Sequence, residues 1–209
     1  MTYIENTYIC LAVPLFLAIL CLRGNARRAL IFLLSGMTAC LLSAYISSYA
    51  AGLIGVDYIT ASHEIAPAVE ECMKFLPVLF YLMVFDPERK RSIGGALMVA
   101  VGFATFENVC FLTDYGTADL PRLLIRGFGT GAMHIVCGMF VAVGLFYLWE
   151  KTWLRAVGTF ALLCFVITCH AIFNILVNQS GFVFWTGSAI PLAMVFLYLL
   201  FLRERLDFS

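Results

Sequence analysis

Seven long apolar runs constrain this chain more than any other feature: residues 3–22, 29–54, 66–86, 93–113, 123–149, 156–178 and 183–202. Each is near the ~20 residues that a helix needs to cross a bilayer. In lipid no water is available to pair with the backbone, and a helix satisfies its own N–H and C=O groups. The runs therefore predict an all-α, polytopic bundle of seven transmembrane helices. The connections are short and leave no room for a soluble domain, so residues 1–209 read as a single integral membrane domain. Composition agrees: 12% of residues are charged, against about 25% in soluble domains.

The placement of charge is more informative than its sum. Net charge is zero, which gives no electrostatic reason to expect a nucleic-acid partner. Of the 13 basic residues, ten form four clusters: Arg23, Arg27 and Arg28; Arg89, Lys90 and Arg91; Lys151 and Arg155; Arg203 and Arg205. These follow the first, third, fifth and seventh runs and so share one side of the membrane. Because basic loops stay in the cytoplasm, the N-terminus is expected outside and the C-terminus inside. The first run lacks the basic region of a cleaved signal and reads as a retained helix. All eight cysteines fall within the runs, with no C-x-x-C pair; they read as small apolar side chains rather than a disulfide framework.

Smaller signals concern packing. Pro67 falls in the first turn of the third run, where a missing N–H costs least, and Pro77 should leave an i−4 carbonyl without its donor. Residues 55–65 read as the longest outer loop, carrying Asp57, His63 and Glu64. Gly127 and Gly131 form a G-x-x-x-G spacing that would let helix backbones approach.

The residues that do not belong in lipid are ionisable. Each costs about 2.5–3.5 kcal/mol on insertion, and such groups usually face a partner or a water-filled cavity. The third run carries Glu70, Glu71 and Lys74, the fourth Glu107 and Asn108, the fifth Arg126 and His134, the sixth His170 and Asn174. At ~1.5 Å of rise per residue, Glu70, Glu71, Glu107, His170 and His134 lie roughly 6 to 17 Å below the outer face. Given the uncertainty of helix ends, that range predicts one layer in the outer half of the membrane, lining a single pocket. Lys74 can reach Glu70 (i,i+4) or Glu71 (i,i+3) on its own helix. Glu70 and Glu71 project ~100° apart. A single Asn or His in a spanning helix commonly serves as interhelical glue, and Arg126 is near enough to the interface to snorkel. Two adjacent carboxylates have no comparable structural use. Two His and several Glu on separate helices suit either a bound metal such as zinc or a water activated without one.

At these residues the chain resembles the PrsW-type intramembrane proteases, relatives of the CAAX-prenyl endopeptidase and bacteriocin-processing superfamily. The resemblance covers roughly residues 64–178, the expected catalytic core. It rests on E-E-x-x-K (Glu70, Glu71, Lys74), F-x-x-x-E-N (Phe103, Glu107, Asn108), His134, and H-x-x-x-N (His170, Asn174). Relative to the wider superfamily, Lys74 stands one position before the Arg of E-E-x-x-x-R, and Glu107 replaces the His of F-x-x-x-H. The resemblance implies cleavage of single-pass or membrane-anchored proteins near the outer face, such as an anti-sigma factor in Gram-positive bacteria. It further implies residence in the bilayer of a prokaryotic plasma membrane.

On that reading Glu70 or Glu71 is the general base, with Lys74 holding the pair's charge and geometry. In a zinc version His134, His170 and Glu107 hold the metal, which lowers the pKa of bound water toward ~7. In a metal-free version His170 and Asn174 donate to the oxyanion while Glu107 and His134 orient the water. The alternatives are a proton- or metal-coupled transporter, which would carry polar residues along its full depth, and a catalytically dead binding or immunity protein.

Overall fold

The computed structural model describes residues 4–85, 90–116 and 120–201. Residues 86–88, Arg89, Arg203 and Arg205 lie outside the described residues. Among those described, the fold is entirely helical. In chain order the helices are α1 (Ile4–Cys21), α2 (Gly24–Ile54), the short α3 (Tyr58–Thr60), a π-helical turn (Ala61–Ile65), α4 (Ala66–Val84), α5 (Lys90–Tyr115), α6 (Leu120–Leu148), α7 (Leu154–Val177) and α8 (Phe182–Phe201). The seven long helices coincide with the seven apolar runs. Among the described residues, six helices are long and apolar enough to cross a membrane; α4 is not among them. Glu70, Glu71 and Lys74 make α4 the most charged of the long helices at its centre, so the helix that looks least like a span is the one bearing the polar cluster.

The segment read as an outer loop is largely helical. Gly55, in the left-handed conformation (φ 75°), closes α2, its N–H reaching the Ala51 carbonyl. That conformation suits a residue without Cβ. Asp57 then caps α3, accepting from the Thr60 N–H at 2.8 Å and the Thr60 hydroxyl at 3.1 Å. These bonds hold the Asp57 carboxyl below its usual pKa. The π turn runs directly into α4.

Helices α2, α5 and α6 pack side by side, α4 wedges against α2, α5 and α7, α8 leans on α6 and α7, and α1 lies on α2. The closest approach is between α2 and α5. A Cβ on Gly36 would lie 2.0 Å from the Val99 carbonyl oxygen, and one on Gly102 2.0 Å from that of Leu33. Only glycine fits at either position. The G-x-x-x-G at Gly127 and Gly131 does not serve this purpose, since both face open space. Gly129 between them makes the helix contact instead, against Ser188 of α8. The expectation failed because spacing alone does not say which way a helix face is turned.

Two apolar clusters form the interior. One joins α4, α5, α6 and α7 around Phe75, Val78, Cys137, Val141 and Val166; the other joins α2 and α5 around Met37, Cys40, Phe103 and Phe106. Large apolar side chains such as Phe16, Phe160, Phe182 and Phe196 face outward, as expected where lipid rather than water is the solvent. All eight cysteines are free.

Candidate active site

The polar cluster forms because four helices turn one register of positions inward at the same level. On α4 the buried stripe is Glu71, Lys74, Phe75, Val78 and Leu82, a helical i, i+3, i+4, i+7 pattern in which a charged pair occupies core positions. On α6, Arg126, Thr130 and His134 follow at i, i+4 and i+8 and lead into the buried Cys137 and Val141. On α7, His170 is preceded by buried Val166 and followed by buried Phe173. On α5, Glu107 lies one turn beyond Phe103.

These side chains form one continuous network. Arg126 donates to Glu107 Oε1 at 2.9 Å, and the other oxygen of Glu107 is 2.5 Å from His134 Nε2. His134 Nδ1 is 3.0 Å from Lys74 Nζ, which also donates to Glu71 Oε1 at 2.5 Å. Glu71 Oε1 in turn lies 2.7 Å from His170 Nδ1. The two imidazole rings meet edge to face, 5.1 Å between centroids, and Lys74 Nζ sits 4.6 Å over the Phe103 ring. Burial is graded. The side chains of Glu71, His134 and His170 are 2%, 0% and 3% exposed, whereas Glu107 and Arg126 reach 24% and 29%.

The partners fix the proton positions. Ammonium is a donor only, so His134 Nδ1 accepts from Lys74 and its Nε2–H donates to Glu107. His170 donates Nδ1–H to the Glu71 carboxylate, which leaves a lone pair on Nε2. That nitrogen faces Glu70 Oε2 at 3.7 Å, and Glu70 Oε2 is buried with no hydrogen-bond partner. Two acceptors facing each other repel unless something electron-poor lies between them: a proton, a water hydrogen or a metal ion. Charge points to the same place. Arg126 and Lys74 supply two positive charges against the three carboxylates of Glu70, Glu71 and Glu107, and the uncompensated one is at Glu70.

Ligand atoms of Glu70, His134 and His170 all lie within 4.8 Å of one another, a group that could hold a metal ion. The expected third ligand, Glu107, is instead engaged by Arg126 and His134. Of the expected Glu pair, Glu71 is tied on two sides and Glu70 is open. Asn174 also differs from expectation: its amide donates to the Ser62 carbonyl at 3.0 Å, fastening α7 to the π turn. The five residues expected to line a pocket are packed against one another, and a sizeable cavity lies one helical turn beyond them, beside Arg126. Sequence reasoning underrated Arg126, although its i, i+4, i+8 register with Thr130 and His134 was available as a signal.

No curated protein and no solved structure gives a significant match to this chain. The PrsW family intramembrane metalloprotease model matches residues 24–202, which takes in every member of the network, and the chain therefore belongs to the PrsW family of intramembrane metalloproteases.

Proposed function

We propose that the chain is a zinc-dependent endopeptidase in which Glu70, His134 and His170 form the reacting centre, within a core of about residues 64–178. The observation that carries this reading is the open pair of acceptors, Glu70 Oε2 and His170 Nε2, at 3.7 Å. One carboxylate and two imidazoles are a donor set that zinc accepts in catalytic sites; Glu70 Oε2 and His170 Nε2 are free to take a cation, and His134 would join them by exchanging its Lys74 or Glu107 partner for the metal. Bound there, zinc would polarise the substrate carbonyl and lower the pKa of a bound water toward ~7.

The chain's own residues have separable tasks. Glu71 holds His170 by its Nδ1–H and so presents Nε2, the carboxylate–imidazole arrangement that orients metal-binding histidines. Lys74 balances Glu71 and fixes the Nδ1 side of His134, while Glu107 and Arg126 secure its Nε2 side. Glu70 would hold the metal through one carboxylate oxygen and with the other take the proton of the attacking water. As the water oxygen bonds the carbonyl carbon and the C–N bond breaks, that proton passes to the leaving nitrogen. Asn174, with one amide hydrogen on Ser62, is a structural fastener here rather than an oxyanion donor.

In this reading α4 is the seventh span, the N-terminus is outside, and the cluster lies in the outer half of a prokaryotic plasma membrane. Substrates are membrane-anchored proteins cut near the outer face, an anti-sigma factor being the kind of target expected. The test is cleavage of single-span membrane proteins by the detergent-purified chain. Glu70→Gln keeps the shape and should lower the rate by ~10²-fold or more. Full activity in Glu70→Gln would remove this assignment.

A further inference from the structure

Next to the network lies a cavity of about 120 Å³ between α5, α6, α7 and α8, bordered by Phe111, Arg126, Thr130, Phe173, Phe184 and Ser188. Its position is set by register. Phe111 follows Glu107 by four residues, Thr130 precedes His134 by four, and Phe173 follows His170 by three. On three helices at once, the wall residues are one turn, ~5.4 Å, from members of the polar network: Glu107, His134 and His170. In an extended chain consecutive residues advance ~3.3 Å, so a side chain seated in the cavity brings an adjacent peptide bond to the cluster.

The walls are mostly apolar; Thr130, Ser188 and Arg126 supply the polar groups, and Arg126 the only charge. Arg126 stacks over Phe111, 4.2 Å from the ring centroid, and gives one terminal nitrogen to Glu107. Its Nε is buried with no hydrogen-bond partner among the described residues, an expensive state for a cationic donor. A peptide segment must leave its helix to be cut, and in lipid its carbonyls then lack donors. A buried Arg N–H beside an apolar cavity answers that need.

We infer that this α5–α8 cavity is a substrate subsite, which seats a branched aliphatic side chain flanking the scissile bond while Arg126 Nε donates to a neighbouring substrate carbonyl. A buried cavity of roughly 150 Å³ takes a benzene ring, so this smaller, partly open one suits Val or Leu better than Phe. The inference rests on the protease reading and deepens it, giving the substrate a residue preference.

The test uses the full chain purified in detergent and synthetic single-span peptides that differ at one position as Ala, Val, Leu, Phe or Asp. Cleavage sites are read by mass spectrometry. The wild type should prefer Leu or Val over Phe or Asp by about tenfold or more at one flanking position. Ser188→Leu fills the cavity and should turn the preference toward Ala. Gly129→Ala, whose Cβ would meet Ser188 Cβ at an ordinary 3.5 Å, should shift it in the same direction with little packing cost. Cleavage with an unchanged preference in both variants overturns the subsite and leaves the protease standing.

A second measurement does not need turnover. In the Glu70→Gln background, alkylation of the thiol introduced by Ser188→Cys is followed by peptide mass spectrometry. The Leu peptide should slow it several-fold and the Asp peptide should not. Protection by the Leu peptide without cleavage by the wild type supports the subsite and removes the protease reading. Equal protection by added phospholipid, or no protection by any peptide, overturns the subsite.

Discussion

Replacing Lys74 by Met should be the most destabilising single change in the network, and its cost should largely disappear when Glu71 is neutralised as well. Lys74 and Glu71 are 7% and 2% exposed and their charged atoms are 2.5 Å apart. Lys74→Met leaves Glu71 with only a neutral imidazole as partner and strips His134 Nδ1 of its donor. Removing one partner of a buried pair typically costs about 3–5 kcal/mol, mostly through the charge left behind. In the double variant Lys74→Met with Glu71→Gln no such charge remains, so the two losses should not add. A coupling of about 2–3 kcal/mol is expected. The assay is a double-mutant cycle on folded fraction against mole fraction of denaturing detergent in mixed micelles. A Lys74→Met cost below about 1 kcal/mol, the range of an exposed pair, or additive losses, would refute the idea that these two residues compensate each other.

Three further outcomes follow from the packing and topology. Gly36→Ala and Gly102→Ala each drive a Cβ to 2.0 Å from a backbone oxygen and should cost at least the ~1–3 kcal/mol of overpacking, whereas Gly127→Ala, facing open space, should be near neutral in the same unfolding assay. Asn174→Ala removes the bond to Ser62 and should cost about 1 kcal/mol, with faster protease nicking within residues 56–65 of purified protein. Thiols introduced at Asp57 and at Lys151 should label from opposite sides of sealed membranes, Asp57 from outside; labelling of both from one side would contradict the seven-span topology.

The helices were legible because length and hydropathy are read directly from the chain, and all seven long helices lie where the apolar runs predict. That these groups share a level was legible for the same reason: counting residues from helix ends brought Glu107, His134, His170 and the Glu pair together. Direction was not. The runs are apolar nearly all round, so their pattern does not say which face turns inward. That single deficit explains why Glu70 rather than Glu107 joins the two His, why Glu71 is the tied member of the pair, and why Gly36 and Gly102 rather than Gly127 and Gly131 make the close contact. Arg126 was underrated for a related reason, since near an interface a long cationic side chain can turn outward to water or inward to Glu107. Residues 55–65 read as a loop because their polar residues mask a short capped helix and a π turn fastened to α7 by the Asn174–Ser62 bond.

Zinc stoichiometry tests the account's central claim most directly, measured by elemental mass spectrometry on detergent-purified protein and three variants. The account predicts about one zinc per chain in the wild type, its loss in His170→Ala and Glu70→Ala, and its retention in Glu107→Gln, because Glu70 and not Glu107 completes the donor set. Metal-free wild-type protein, or zinc that survives Glu70→Ala and is lost from Glu107→Gln, would contradict it.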